Sequence, residues 1–154
     1  MTTTPAITET RRILVVANET VESPALRDAI EAHVHELDAA EVTIVAPALN
    51  SRLRHWLSDE AQARREAELR LARCVNDLAA GGVESIGWVG DADPLLAIAD
   101  ALHQAPADLV LVSTHPEGES NWLERNVVER ARASFDVPVV HVVAAARAAP
   151  ALAA

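Results

Sequence analysis

The sequence predicts an α/β domain: an open five-stranded parallel sheet with helices on both faces, a three-layer sandwich. Two observations carry this. Five short apolar runs alternate with helical patterns along the chain. Each run is nearly continuous in apolar residues, as expected of parallel strands covered on both faces. Right-handed crossovers then wind the helices onto the two faces. The 154 residues are enough for one such domain with its own core.

The elements follow in order. RILVVA, residues 12–17, is the first strand. Ser23 is the expected cap of a helix that Pro24 opens, with Ala25, Ile30, Val34 and Leu37 on its apolar face. EVTIVAP, 41–47, is the second strand. After the loop ALNSRLRHWL, Ser58 is the expected cap of a long helix. Asp59 and Glu60 in its first turn suit the positive end of the helix dipole. Ala67, Leu71, Cys74 and Leu78 share one face of that helix, and Gly81 and Gly82 end it. VESIGWV, 83–89, is the third strand, after which Asp93 caps and Pro94 opens a further helix. DLVLVS, 108–113, is the fourth strand. Asn121 then caps a helix predicted to run from Trp122 to Ser134, with Glu124 completing a capping-box-like pair. The fifth strand, VPVVHVV, begins at Val137 and ends at Val143. The predicted domain is 12–143, between a flexible start, 1–11, and an Ala-rich tail, 144–154, expected to be frayed.

Composition narrows the functional classes. Half of the residues are hydrophobic, so the chain is not a disordered acidic segment. A net charge of -10 sets it against DNA, RNA or an anionic membrane surface as partners, whose phosphates it would repel. Cys74 is the only cysteine, which excludes an internal disulfide and a multi-thiolate zinc site. MTTTPAITET lacks the apolar centre of a signal peptide, and no stretch approaches the roughly 20 apolar residues that span a bilayer. A soluble cytoplasmic protein is expected. The phosphate loop, the dinucleotide fingerprint, the Gly-x-Ser-x-Gly elbow, the His-Glu-x-x-His pair and the His-x-Gly-His motif of nucleotidyl transfer are all missing. His33 and His35, two apart on a helix, do not face each other, so no metal is predicted.

A ligand crevice is expected at the carboxyl ends of the first and fourth strands, provided the strand order reverses between them. The loop after the fourth strand offers Ser113, Thr114, His115, Ser120 and Asn121 as hydrogen-bonding groups, with Gly118 as its flexible point. Asn18 and Thr20 reach the crevice from the first strand, Ala46 from the second, and Gly90 and Asp91 from the third. A ligand with a hydroxyl, amide or ammonium group suits these residues better than a triphosphate. The same residue types also satisfy loop backbone and cap helices. Arg52 and Arg54, beside His55 and Trp56, can grip a carboxylate or phosphate from a lid over the crevice. They can equally pair with Asp59 and Glu60. Trp122 is expected to pack on its neighbours, His115 to be a hydrogen-bonded loop residue, and Cys74 to be a core thiol. His141 is expected at an edge or interface.

Three segments carry a resemblance: ILVVANET, VGDADPLLAIADAL, and ADLVLVSTHPEGESNWLERNVVERARASFDVPVVHVV. Over residues 12–143 the chain resembles the universal stress proteins, which implies a flavodoxin-like or adenine-nucleotide α-hydrolase-like sandwich. ATP-binding members of that family carry glycine, two residues, glycine, nine residues, then glycine followed by serine or threonine. At that spacing this chain has Ser113, Pro116, Asn126 and Val127, and Asn18 stands for the family's Asp. Pro116 has no amide to donate and Val127 no hydroxyl. The lost glycines would have let the backbone approach phosphate and take positive φ. Glu117 and Glu119 add like charge, each opposing phosphate by about 4 kcal/mol at about 4 Å and an effective dielectric near about 20, before salt screening.

The resemblance, with these departures, implies a non-catalytic regulatory or ligand-sensing domain that does not take ATP through the usual motif, and no cofactor is predicted. It also implies a homodimer paired through the last strand. The Ala-rich tail folding back on that strand is the alternative. The other readings are a nucleotide site using Arg52 and Arg54, an enzyme of the wider fold with His115 as acid or base, and an interaction module with an empty crevice.

Overall fold

The computed structural model describes residues 11–17, 19–37, 39–47, 57–91, 93–116 and 126–144, with backbone alone at 19 and 57–60. Its sheet has five strands: β1 (Arg11–Val16), β2 (Ala40–Pro47), β3 (Ser85–Gly90), β4 (Leu109–Thr114) and β5 (Val139–Val143). Their spatial order is β3-β2-β1-β4-β5 and every pairing is parallel. The chain therefore steps outward from β1 to β3, crosses back to β4 beside β1, and finishes on the far edge. The predicted reversal between the first and fourth strands is present.

Among the described residues four helices cover the sheet: α1 (Pro24–His35), α2 (Leu57–Ala80), α3 (Pro94–Gln104) and α4 (Val127–Ser134). Leu26 and Ile30 of α1 and Leu71, Cys74 and Leu78 of α2 pack with Ile13, Val15, Ile44 and Leu111 on one face. Ala97, Ile98 and Ala101 of α3 and Val128 and Ala131 of α4 pack with Leu14, Val16, Val45, Val110 and Val112 on the other. Strands β1, β2, β4 and β5 supply both layers by alternation, which is why they read as nearly unbroken apolar runs. The predicted α2 stripe is buried throughout, from Ala67 to Leu78. On α1 Leu26 and Ile30 are fully buried and Ala25 is only partly so, because Leu26, Ile30 and Val34 form the i, i+4, i+8 row that meets the sheet.

The helix ends show which local signals operate. Gly82 ends α2 with φ of 86°. Val83 N–H donates to Leu78 O at 2.8 Å and Gly82 N–H to Ala79 O at 3.0 Å, the paired bonds of a glycine C-cap. Asp93 caps α3 as expected, its carboxylate accepting from Leu95 N–H at 2.9 Å. Three expectations need correction. Ser23 stands at the N-cap of α1, but its hydroxyl makes no capping bond. Helix α2 begins at Leu57, so Ser58 lies inside it and does not cap it. A helix running unbroken from Trp122 to Ser134 is excluded by Asn126, whose φ of 53° and ψ of 38° are left-handed. The described helix starts after it at Val127. Trp122 and Glu124 lie outside the described residues.

Candidate functional site

The switch point between β1 and β4 sets the place of the site. The parallel register pairs Val16 with Val112, so Ala17 and Ser113 follow side by side where the two strands end. A short 3-10 turn, Glu19–Glu22, then leads the chain into α1. Thr20 in this turn is 4% exposed and its Oγ1 donates to Ser113 O at 3.3 Å, a long bond. Arg73 of α2 pairs with Glu22 at 3.3 Å on the exposed side of the same turn. A solvent-exposed pair of this kind adds little stability.

Along β4 the side chains alternate. Ser113 follows Leu111 onto the α1–α2 side, and Thr114 follows Val112 onto the α3–α4 side. Ser113 is 1% exposed and its hydroxyl has no hydrogen-bond partner among the described residues. A buried hydroxyl without a partner loses its hydration and gets nothing in return, typically about 1–3 kcal/mol.

Thr114 is the opposite case. Its Oγ1 donates to His115 O at 2.9 Å and lies 2.7 Å from His141 Nε2 of β5. A carbonyl can only accept, so the hydroxyl proton points to His115 and the imidazole supplies the Nε2–H. Ala144 N–H closes the same corner by donating to Thr114 O at 2.8 Å. Burial pushes the His141 pKa below its ordinary 6.5, and nearby Arg132 pushes it the same way, while Glu129 opposes them. The neutral ring is therefore the form this corner holds. Sequence reading placed His141 at an edge and did not join it to Thr114. The missing signal was the β4–β5 register, which sets Val112 opposite His141 and so puts Thr114 one diagonal step away on the same face.

The remaining residues of the expected crevice divide into two groups. Ala46 is buried at the end of β2. Gly90 ends β3 where a Cβ would meet Val45 Cγ1 at 2.8 Å and Ala97 Cβ at 3.2 Å, so the glycine is required for α3 to close on the sheet. Asp91 accepts from Asp93 N–H at 2.9 Å and shapes the turn into α3. His115 is half-buried beside the strand end. Asn18, Arg52, Arg54, Gly118, Ser120 and Asn121 lie outside the described residues. Ser113, Thr114 and Thr20 are thus brought together at one strand end, and of their three hydroxyls only that of Ser113 is left without a partner.

At the far side of the loop, Asn126 is the only non-glycine residue with positive φ among the described residues. It immediately precedes Val127, the first residue of α4, which is 2% exposed in the core. The chain thus makes a left-handed turn at Asn126 and places the apolar side chain that follows it in the core. No cluster of three His, Cys, Asp or Glu residues able to hold a metal occurs among the described residues. Burial, with Asp77 and Glu22 nearby, raises the Cys74 thiol to about 11, although Arg27 opposes this. It is a core thiol and not a nucleophile. No described helix is long and apolar enough to cross a membrane.

No protein-family model matches the chain, and no curated protein does. Solved structures do match. A universal stress protein from Archaeoglobus fulgidus is 19% identical, with a TM-score of 0.58 over 86% of this chain and 93% of that one. A protein of the universal stress protein family from Burkholderia pseudomallei is 16% identical, with a TM-score of 0.60 over 84% and 93%. A universal stress protein family protein from Arabidopsis thaliana, solved with AMP bound, is 15% identical, with a TM-score of 0.56 over 92% and 96%. The chain has the universal stress protein fold, as the resemblance implied.

Proposed function

We propose that this chain is a non-catalytic, universal-stress-protein-like regulatory or ligand-sensing domain whose crevice no longer takes ATP through the glycine motif. The observation that carries the proposal is the Asn126–Val127 step. The left-handed turn is kept, but the residue following it is an apolar core side chain with no hydroxyl for phosphate. Pro116 removes a further amide donor from the same loop. The buried Ser113 hydroxyl, without a partner among the described residues, supports a ligand that brings its own hydrogen-bonding group to the β1–β4 switch point.

The ligand of this reading is small and polar, with a hydroxyl, amide or ammonium group. Titration calorimetry with ATP and magnesium up to millimolar concentration tests it. No heat is expected. Micromolar binding would sink the reading in favour of a nucleotide site with other contacts, a possibility kept open by the AMP held by the Arabidopsis protein.

The same proposal includes a homodimer through β5. That strand lies at the sheet edge and is apolar, and Val143 is 47% exposed at its end. An edge strand presents unpaired amides and carbonyls that a second strand can satisfy. Sedimentation equilibrium is expected to give a dimer that Val143→Asp weakens. A wild-type monomer at micromolar concentration would remove the dimer from the proposal.

A further inference from the structure

The opposite edge of the sheet has a different character. β3 reads Ser-Ile-Gly-Trp-Val-Gly, with no charged residue and no proline. Its register with β2 runs without a bulge from Ser85 opposite Val42 to Gly90 opposite Pro47. Charges, prolines and bulges are the usual devices that stop an edge strand from accepting another strand. β3 has none of them, and among the described residues nothing pairs with its outer side.

That outer side opens into a groove of about 590 Å³ between β3 and α2. One wall is Ile86, Gly87, Trp88 and Val89, and the other joins Leu71, Ala72 and Val75 to the polar Asn76 and the Arg64–Glu68 ion pair. Ile86 is 64% exposed on the α3 side of the strand. Gly87 lets α2 lie close against the strand, since a Cβ there would meet Leu71 Cδ1 at 2.7 Å. The groove therefore combines an apolar wall with the free backbone of a strand about 20 Å long, at roughly 3.3 Å per residue.

We propose that this groove is a docking site for one extended segment of a partner protein, added as a sixth strand beside β3. The free edge calls for an occupant with its own unpaired backbone groups, since alternate residues of β3 turn both N–H and C=O away from β2. A second copy of this chain paired antiparallel through β3 does not fit. The contact of Leu71 with Gly87 puts α2 directly over β3. Pairing two β3 strands would set two such helices over strands about 4.8 Å apart, whereas packed helices need about 8–10 Å. A lone strand carries no helix and meets no such conflict. Its side chains facing α2 should be apolar and small. Its flanks should be basic, because this chain carries -10 and contains no lysine.

The test uses a labelled peptide of alternating valine and threonine flanked by lysines, read by fluorescence anisotropy against the full chain. Saturable binding is expected, weakened at least tenfold by Ala72→Arg, which fills the groove from an exposed helix position. Ile86→Lys should weaken it independently, and circular dichroism should show both variants folded. Val143→Asp, on the far edge, should leave binding unchanged, which separates this site from the proposed dimer. A peptide N-methylated at alternate amides should not bind. The proposal is overturned by no binding at millimolar peptide, by equal binding of the methylated peptide, or by indifference to both groove variants. A change of oligomeric state in the groove variants would overturn it in favour of self-pairing.

Discussion

Thr114 Oγ1 and His141 Nε2 lie 2.7 Å apart, joining the ends of the last two strands of the sheet. Because the threonine proton is committed to His115 O, the bond requires the ring to be protonated on Nε2, and the lowered His141 pKa keeps it neutral. A pH dependence follows. The unfolded chain takes up the proton near the ordinary 6.5, before the folded chain does. Stability from this group is full above that value, falls as pH drops towards the lower folded pKa, and levels off beneath it. Urea midpoints measured between about pH 7.5 and about pH 5 should fall more steeply for the wild type than for His141→Gln. Equal slopes would show that His141 titrates as it does in the unfolded chain.

The bond itself should couple the two residues energetically. Thr114→Val and His141→Phe are each expected to lose about 1 kcal/mol, and the double variant less than the sum. A coupling of about 0.5–1.5 kcal/mol in the cycle is the expected result. Additive losses would mean that the short distance carries no net stabilisation.

Two helix starts that look alike in sequence should respond differently. Asp93 accepts from Leu95 N–H at 2.9 Å, and Asp93→Ala should cost about 1 kcal/mol. Ser23 makes no capping bond, and its buried hydroxyl has no partner among the described residues, so Ser23→Ala should cost nothing or stabilise slightly. Thermal unfolding of both variants decides the matter. A loss for Ser23→Ala equal to that for Asp93→Ala would contradict the described geometry.

Asn126 should tolerate only residues at ease in the left-handed region. With φ at 53°, Asn126→Gly is expected to be neutral or stabilising, and Asn126→Val to cost about 1–2 kcal/mol. Chemical denaturation of the pair reads this directly. A valine variant as stable as the wild type would mean that the turn is not held as described.

The strands, their parallel arrangement and most helix boundaries were legible because they depend on local patterns. The α2 stripe needed only a 3.6-residue period, and the stop at Gly82 only a residue free to take positive φ. Legibility ended where one residue's meaning depends on another far along the chain. Ser23 and Asp93 both precede a proline-opened helix, yet only Asp93 makes the capping bond. The break at Asn126 was hidden because Asn121 and Glu124 supply a plausible cap five residues earlier. The crevice was placed from strand order, but the state of its hydroxyls was not readable.

The sequence by itself determined the alternation of strands and helices and the two-sided burial of the sheet. These are properties of residue type and short-range period. The tertiary structure decided that Thr114 meets His141, that Ser113 is buried without a partner among the described residues, and that β3 leaves a groove beside α2. Each of these rests on register between strands whose paired residues are far apart in sequence, where β4 and β5 align Val112 with His141 and β2 and β3 align Val45 with Trp88. Register fixes which side chains share a face, and a shift of one residue would turn every one of them to the other side of the sheet.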